Sequence, residues 1–188
     1  MSIVGAFLLA FLAIVRVAWM LRWGVTLLGV LLFVQAGLGA LLMIFRRSTG
    51  ITAPKWVEAG AWLSAILPLL FSVPSSVTLW QGLLPVPGLV LNLWALASLG
   101  TAFGISPARR GLVMEGPYRR IRHPMYAGEL LSLIGGLWGA FQPWNIVVLL
   151  IFTVSLVWRI IWEEKILNRN GYAVYAALVR WRLVPGIW

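Results

Sequence analysis

The stretch Gly116-Pro117-Tyr118-Arg119-Arg120-Ile121-Arg122-His123-Pro124-Met125-Tyr126-Ala127-Gly128 decides how this chain is read, because a run of arginines stops at a proline and passes straight into an apolar segment of membrane length. Proline suits the first turn of a helix. His123-Pro124 therefore marks a helix entrance and sets polar chemistry against a bilayer face. Further along, Glu163-Glu164 closes another apolar run and is followed by Gly171, Tyr172 and Tyr175. With Glu115 and Glu129 counted beside the first stretch, the two clusters hold four of the five acidic residues and the single histidine. A chain so sparing of polar groups has gathered them in one place.

The rest of the composition explains that sparing use. Hydrophobic residues make up 61% of the 188 positions, charged residues 11%, and the mean hydropathy is +0.93, outside the range of soluble domains. This is the composition of a polytopic membrane protein. No cysteine is present, which removes disulfides and thiolate ligands, and one histidine with five dispersed carboxylates leaves no metal cage. The formal charge of +10 sits at the ends of apolar runs and not on a polar domain, so lipid headgroups and not nucleic acid are the expected partner.

About 20 apolar residues cross the hydrocarbon core as a helix. The spacing predicts six spans near 3–21, 25–45, 56–73, 86–103, 125–141 and 146–162, the third, fifth and sixth being short. A five-span arrangement, with the first segment in the interface or a short one re-entrant, stays open because Arg16 and Arg22 crowd the end of the first helix. The expected fold is all-α: a transmembrane helical bundle, residues 1–103, leading into a region of residues 104–188 that comprises a loop, a helical hairpin and a carboxy-terminal cytoplasmic helix. The first apolar stretch has no basic segment ahead of it and is expected to remain as a helix. Arg46, Arg47 and Lys55 fall in one connection, Arg109, Arg110, Arg119, Arg120 and Arg122 in another, and Lys165, Arg169, Arg180 and Arg182 in the tail. The opposite face has Arg22 alone, so the positive-inside rule places both termini and the polar clusters in the cytoplasm. Trp19, Trp23, Trp56, Trp80, Trp144, Trp181 and Trp188 fall near span ends, where tryptophan anchors in the interface. From Glu163 to Val179 the sequence suits an amphipathic helix broken near Asn170-Gly171.

Each polar residue has a plain reading beside a chemical one. Exposed amide donors at the His123-Pro124 entrance can hold an anion, or merely start a span. Tyr118 and Tyr126 offer ring faces to a purine or a sulfonium, or belong to an aromatic belt. Glu129, one turn into the fifth span and on the face of Tyr126, is a carboxylate in a membrane helix, which is costly and points to function; otherwise it pairs with Arg122 or Arg159. Arg159 lies one turn before Glu163 on the same face. Glu163 and Glu164 project about 100° apart, so one can meet a ligand while the other pairs with basic loop residues.

The ordered set GPYRRIRHPMYAG, RIIWEEKIL, GYAVY and RLVP resembles the isoprenylcysteine carboxyl methyltransferase and phospholipid N-methyltransferase superfamily over roughly Gly104 to Pro185. The resemblance implies an integral membrane methyltransferase that takes S-adenosylmethionine from the cytoplasm and a lipidic or lipidated acceptor from the bilayer. It implies cofactor binding by Gly116, Tyr118, His123, Pro124, Tyr126, Glu163 and Glu164, with Arg159 near the reacting substrate. For a carboxylate acceptor Arg159 can orient the oxygen and no base is needed; for an amine acceptor Glu129 or His123 is the candidate base. Gly37-Leu38-Gly39 matches a cofactor-binding GxG of phospholipid methyltransferases, yet in the second span it suits helix packing. Two other readings stay open: a sterol-type reductase using NADPH, whose carboxy-terminal region also carries an RHP-x-Y arrangement, and a non-catalytic membrane assembly protein.

Overall fold

The computed structural model describes residues 2–47, 52–72, 78–108, 110–167 and 172–188. Among these the chain is helical, with no β-strand and two isolated bridges, Thr52 with Ala108 and Ile121 with Trp181. Helix α1 (Ser2–Trp23) and α2 (Leu27–Ile44) form a hairpin through Gly24, whose φ of 96° suits glycine, and Thr26 caps α2 by accepting from the Gly29 amide at 3.1 Å. Helix α3 (Lys55–Ile66) runs into a 3-10 turn at Leu67–Leu70. Helix α4 (Leu79–Leu83) starts with a capping box between Thr78 and Gln81 and leads into α5 (Val86–Leu99). Helix α6 (Pro124–Gly139), α7 (Pro143–Leu167) and the short α8 (Tyr172–Leu178) complete the order.

Besides α8, six helical units thus stand among the described residues where six spans were expected. Ile3–Trp23, Leu27–Ile44, Leu79–Ala102 and Pro143–Leu167 are long and apolar enough to cross a membrane. The unit at α3 and α6 itself, 16 residues or about 24 Å at 1.5 Å per residue, are shorter than the hydrocarbon core. The first segment is a full helix packed along α2, as the six-span reading requires. One boundary needs correction. The sixth span was expected to be short and to end at 162, but α7 runs 25 residues to Leu167, because its polar last turns find partners in the protein. The expected break near Asn170-Gly171 lies outside the described residues.

Close backbone approach joins α5 to α6. A Cβ on Gly128 would fall 2.6 Å from the Asn92 amide, and one on Gly88 would strike the Ser132 amide and lie 2.6 Å from the Gly128 carbonyl oxygen. Small residues let two helices touch where lipid offers no hydrophobic drive. Gly39 of the GxG meets only the end of the Leu9 side chain of α1, at 3.1 Å, while Gly37 faces open space. The core below the polar region gathers Met43, Leu96, Phe103, Tyr126, Phe152, Leu156 and Ile160.

Charge separates along the bundle. The segment after α2 pairs with the loop after α5, through Arg47 N to Thr101 O at 2.8 Å and Ala53 N to Pro107 O at 3.2 Å. The two arginine-bearing connections therefore share one end. At the other end Asn145 clamps Ser72 through both its amide and its carbonyl, each at 2.8 Å, and Trp144 donates to Leu70 O. Trp19, Trp23, Trp56, Trp80 and Trp144 are exposed, as belt residues should be. Trp181 and Trp188 instead lie partly packed beneath Arg180 and Arg182.

Candidate active site

Glu164 organises the charged end of the bundle. Its Oε1 accepts from Arg122 Nη1 at 3.1 Å, His123 Nε2 at 3.3 Å and Tyr172 Oη at 2.8 Å, and its Oε2 accepts from Arg182 Nε at 3.0 Å, with Arg182 Nη2 in ion-pair contact at 2.9 Å. An ionised carboxylate has about four lone-pair sites, so this one is saturated. It ties the last turns of α7 to the α6 entrance, to α8 and to the tail.

Arg122 extends the same scaffold. Its Nε donates to Val179 O at 2.7 Å and its Nη2 to Ala176 O and Arg180 O, so a cation meets the carbonyl end of α8. Arg122 is thereby committed to Glu164 and α8, not to Glu129. The tail completes the clamp, with Arg122 N donating to Trp181 O and His123 N to Arg182 O. Tyr175 Oη donates to Tyr118 O at 2.8 Å. Burial and then the Glu164 hydrogen bond raise the Tyr172 phenol above its ordinary range, and burial pushes Tyr175 up to about 12. Burial, helped by Glu163, also raises the Tyr118 phenol well above its ordinary range. All three phenols stay neutral at working pH, and Tyr172 and Tyr175 donate.

The neighbouring carboxylate is different. Glu163 is half-buried and, among the described residues, accepts one hydrogen bond, from Tyr126 Oη at 2.7 Å. It lines a cavity of about 70 Å³, partly open to solvent, whose walls include Tyr118, His123, Tyr126, Tyr172 and Tyr175. His123 and Tyr126 stack in parallel with centroids 5.6 Å apart, and the Arg159 guanidinium sits 4.8 Å from the Tyr126 ring centre.

Of the sequence candidates, then, Tyr118, His123, Tyr126 and Glu163 meet on the cavity wall. Gly116, with φ of 57°, opens the 3-10 turn Gly116–Arg119 against Ser98 and Trp94, away from that wall. Pro124 is the buried first residue of α6. Glu164 is spent on the scaffold. Arg159 lies buried behind Tyr126 and donates to Ile105 O at 2.6 Å, leaving its Nε without a partner. Glu129 faces Arg159 and Asn92, whose Nδ2 donates to Met125 O at 3.0 Å.

Sequence reasoning missed two residues here. Arg122 stood in the motif, but its role as the α8 clamp depends on where the tail returns. Arg110 was counted only as a loop charge, yet it is buried on the cavity wall.

The family model described as phospholipid methyltransferase matches residues 79–173, half of the chain, from the start of α4 to the first turn of α8. No curated protein and no solved structure gives a match.

Proposed function

The chain belongs to the phospholipid methyltransferase family, and from that premise we propose that it is an integral membrane methyltransferase using S-adenosylmethionine, with the cavity beside Glu163 as its cofactor site. The observation that carries the reading is Glu163 itself: a carboxylate with one hydrogen bond, aimed into an aromatic-walled cavity, beside a twin that is fully spent. The donor set fits the cofactor. Glu163 suits an ammonium or ribose hydroxyls, and the rings of Tyr118 and His123 suit an adenine ring or a sulfonium, with Tyr126 on the same wall already flanked by His123 and Arg159. When bound, the cofactor supplies an electrophilic methyl group.

In-line displacement asks the protein mainly to align the partners and exclude water. Tyr126 is held in place by Glu163 at its hydroxyl and by Arg159 and His123 at its ring. Arg159 lies four residues deeper in α7 than Glu163, and Glu129 three residues deeper in α6 than Tyr126, about 4–6 Å toward the membrane interior. That depth suits a hydrophobic acceptor entering from the bilayer. Arg159 orients a carboxylate acceptor, or Glu129 or His123 takes the proton of an amine. The arginine-rich end that carries the cavity faces the cytoplasm on the positive-inside rule.

Calorimetric titration of detergent-purified protein with S-adenosylmethionine, S-adenosylhomocysteine and NADPH tests the proposal. Saturable binding of both adenosyl ligands without NADPH supports it. Binding of NADPH alone would move the assignment to a reductase, and silence from all three in folded protein would favour a non-catalytic assembly role.

A further inference from the structure

We propose that Arg110 is the oxyanion subsite of the cavity, receiving either the carboxylate of the cofactor's amino-acid tail or the phosphodiester of a lipid acceptor. The inference rests on the methyltransferase reading above and adds to it a residue that neither the motif nor the family match assigns.

The argument starts from an unmet valence. Arg110 is 7% exposed, donates through Nη1 to Ser106 O at 3.1 Å, and leaves its buried Nε without a partner. A guanidinium carries five N–H donors, and leaving one buried and unpaired is costly. Arg122 shows what a structural arginine looks like in the same protein, bonded at Nε, Nη1 and Nη2. Arg159 shares the orphaned Nε but does not line the cavity. Among the described residues Arg110 alone combines an unpartnered guanidinium nitrogen with a place on the cavity wall.

Among the described residues no carboxylate fills the gap. Every ion pair among the described residues converges on Glu164. Glu163 and Glu58 act on Arg110 only through space, while Arg46 adds a charge of its own sign. The loop is also shaped for the guanidinium. A Cβ on Gly104 would fall 2.5 Å from Arg110 Nη1 and 2.6 Å from Cζ, so glycine there leaves the seat in which the fork lies. A planar fork of donors matches carboxylate and phosphate geometry. With Arg122 committed to Glu164 and α8 and Glu163 on the same wall, the cavity offers one uncommitted cationic and one anionic group, the pattern that a zwitterion requires. Both the methionine tail and an aminophospholipid headgroup are zwitterions.

The test titrates wild type, Arg110→Gln and Gly104→Ala with two ligand pairs. One pair is S-adenosylhomocysteine and 5′-methylthioadenosine, which lacks the amino-acid tail; the other is dihexanoyl phosphatidylethanolamine and dihexanoylglycerol, which lacks the phosphodiester. If Arg110 holds the cofactor carboxylate, Arg110→Gln weakens S-adenosylhomocysteine about tenfold or more and leaves methylthioadenosine within about twofold. If it holds the lipid phosphodiester, the loss falls on the phospholipid alone. Gly104→Ala keeps the charge but displaces the guanidinium, so it reproduces the same selective loss by a smaller factor even where Arg110→Gln fails to fold. Unchanged affinity for both pairs in the folded variants would overturn the subsite. A wild type that binds none of the four ligands would overturn the methyltransferase reading and the subsite together, and differs from the previous result because there is then no affinity to lose.

Discussion

Two adjacent carboxylates on one helix end up in opposite conditions. On the Glu164 side every strong donor in reach has found an acceptor: Arg122, His123, Tyr172 and Arg182 all close on one carboxylate, and Arg122 spends its remaining nitrogens on α8. On the Glu163 side the bonds run short. Glu163 holds one, and Arg110 and Arg159 each bury an unpartnered Nε. The saturated side is scaffold, which fixes the positions of the α6 entrance, α8 and the tail. The unsaturated side is where a ligand can supply what the protein omits, because its groups are desolvated and oriented before anything arrives.

The largest expected effect therefore belongs to the scaffold. Glu164→Gln leaves Arg122 and Arg182 facing a neutral amide whose own N–H groups point at donors. Breaking a largely buried ion pair from one side costs roughly 3 kcal/mol, so thermal unfolding in detergent should shift down clearly, with α8 and the tail losing hydrogen-exchange protection first. An unshifted transition would mean that the tail is held by something other than this carboxylate.

Glu163→Gln should separate from it. Only the Tyr126 hydrogen bond is at stake in the fold, and a glutamine oxygen can still accept it, so stability should move by less than about 1 kcal/mol. Affinity for S-adenosylhomocysteine should nevertheless drop about tenfold or more, since a charge-assisted contact to the ligand is lost. If both variants lose the same stability and the same affinity, the division between scaffold and ligand wall fails.

Much of this arrangement was legible beforehand. The six helical units could be read because apolar length is a direct consequence of bilayer thickness, and the 100° offset of successive helical residues already required Glu163 and Glu164 to point apart. What could not be read is where the partners come from. Glu164 is chosen by Arg182 and Tyr172, which return from the tail and α8, and Arg110 enters the cavity because the loop after α5 folds back over Gly104. The end of α7 was misplaced for the same reason. Hydropathy falls at Arg159, Glu163 and Glu164, but a helix continues through charged residues when each has a partner inside the protein.

Tyr172→Phe probes the scaffold with a smaller blow. It deletes one hydroxyl that donates to Glu164 at 2.8 Å and leaves the ring in contact with Tyr175. Loss of about 1.5 kcal/mol is expected, the scale of one hydrogen bond to a charged acceptor, with ligand affinity almost unchanged. A selective loss of affinity instead would place Tyr172 on the ligand's side of the divide.

The smallest effect, and the sharpest control, lies in α2, where neither condition applies. A Cβ on Gly37 meets nothing within 4 Å, so Gly37→Ala should stabilise α2 slightly, by up to about 1 kcal/mol of helix propensity. A Cβ on Gly39 lies 3.1 Å from the end of the Leu9 side chain, so Gly39→Ala should need only a small shift of that residue and come out near neutral. Neither glycine lines the cavity, so both variants should bind S-adenosylhomocysteine as wild type does. If either one loses affinity without losing stability, the GxG is a second ligand contact, and the boundary between packing and binding has to be redrawn to include α2.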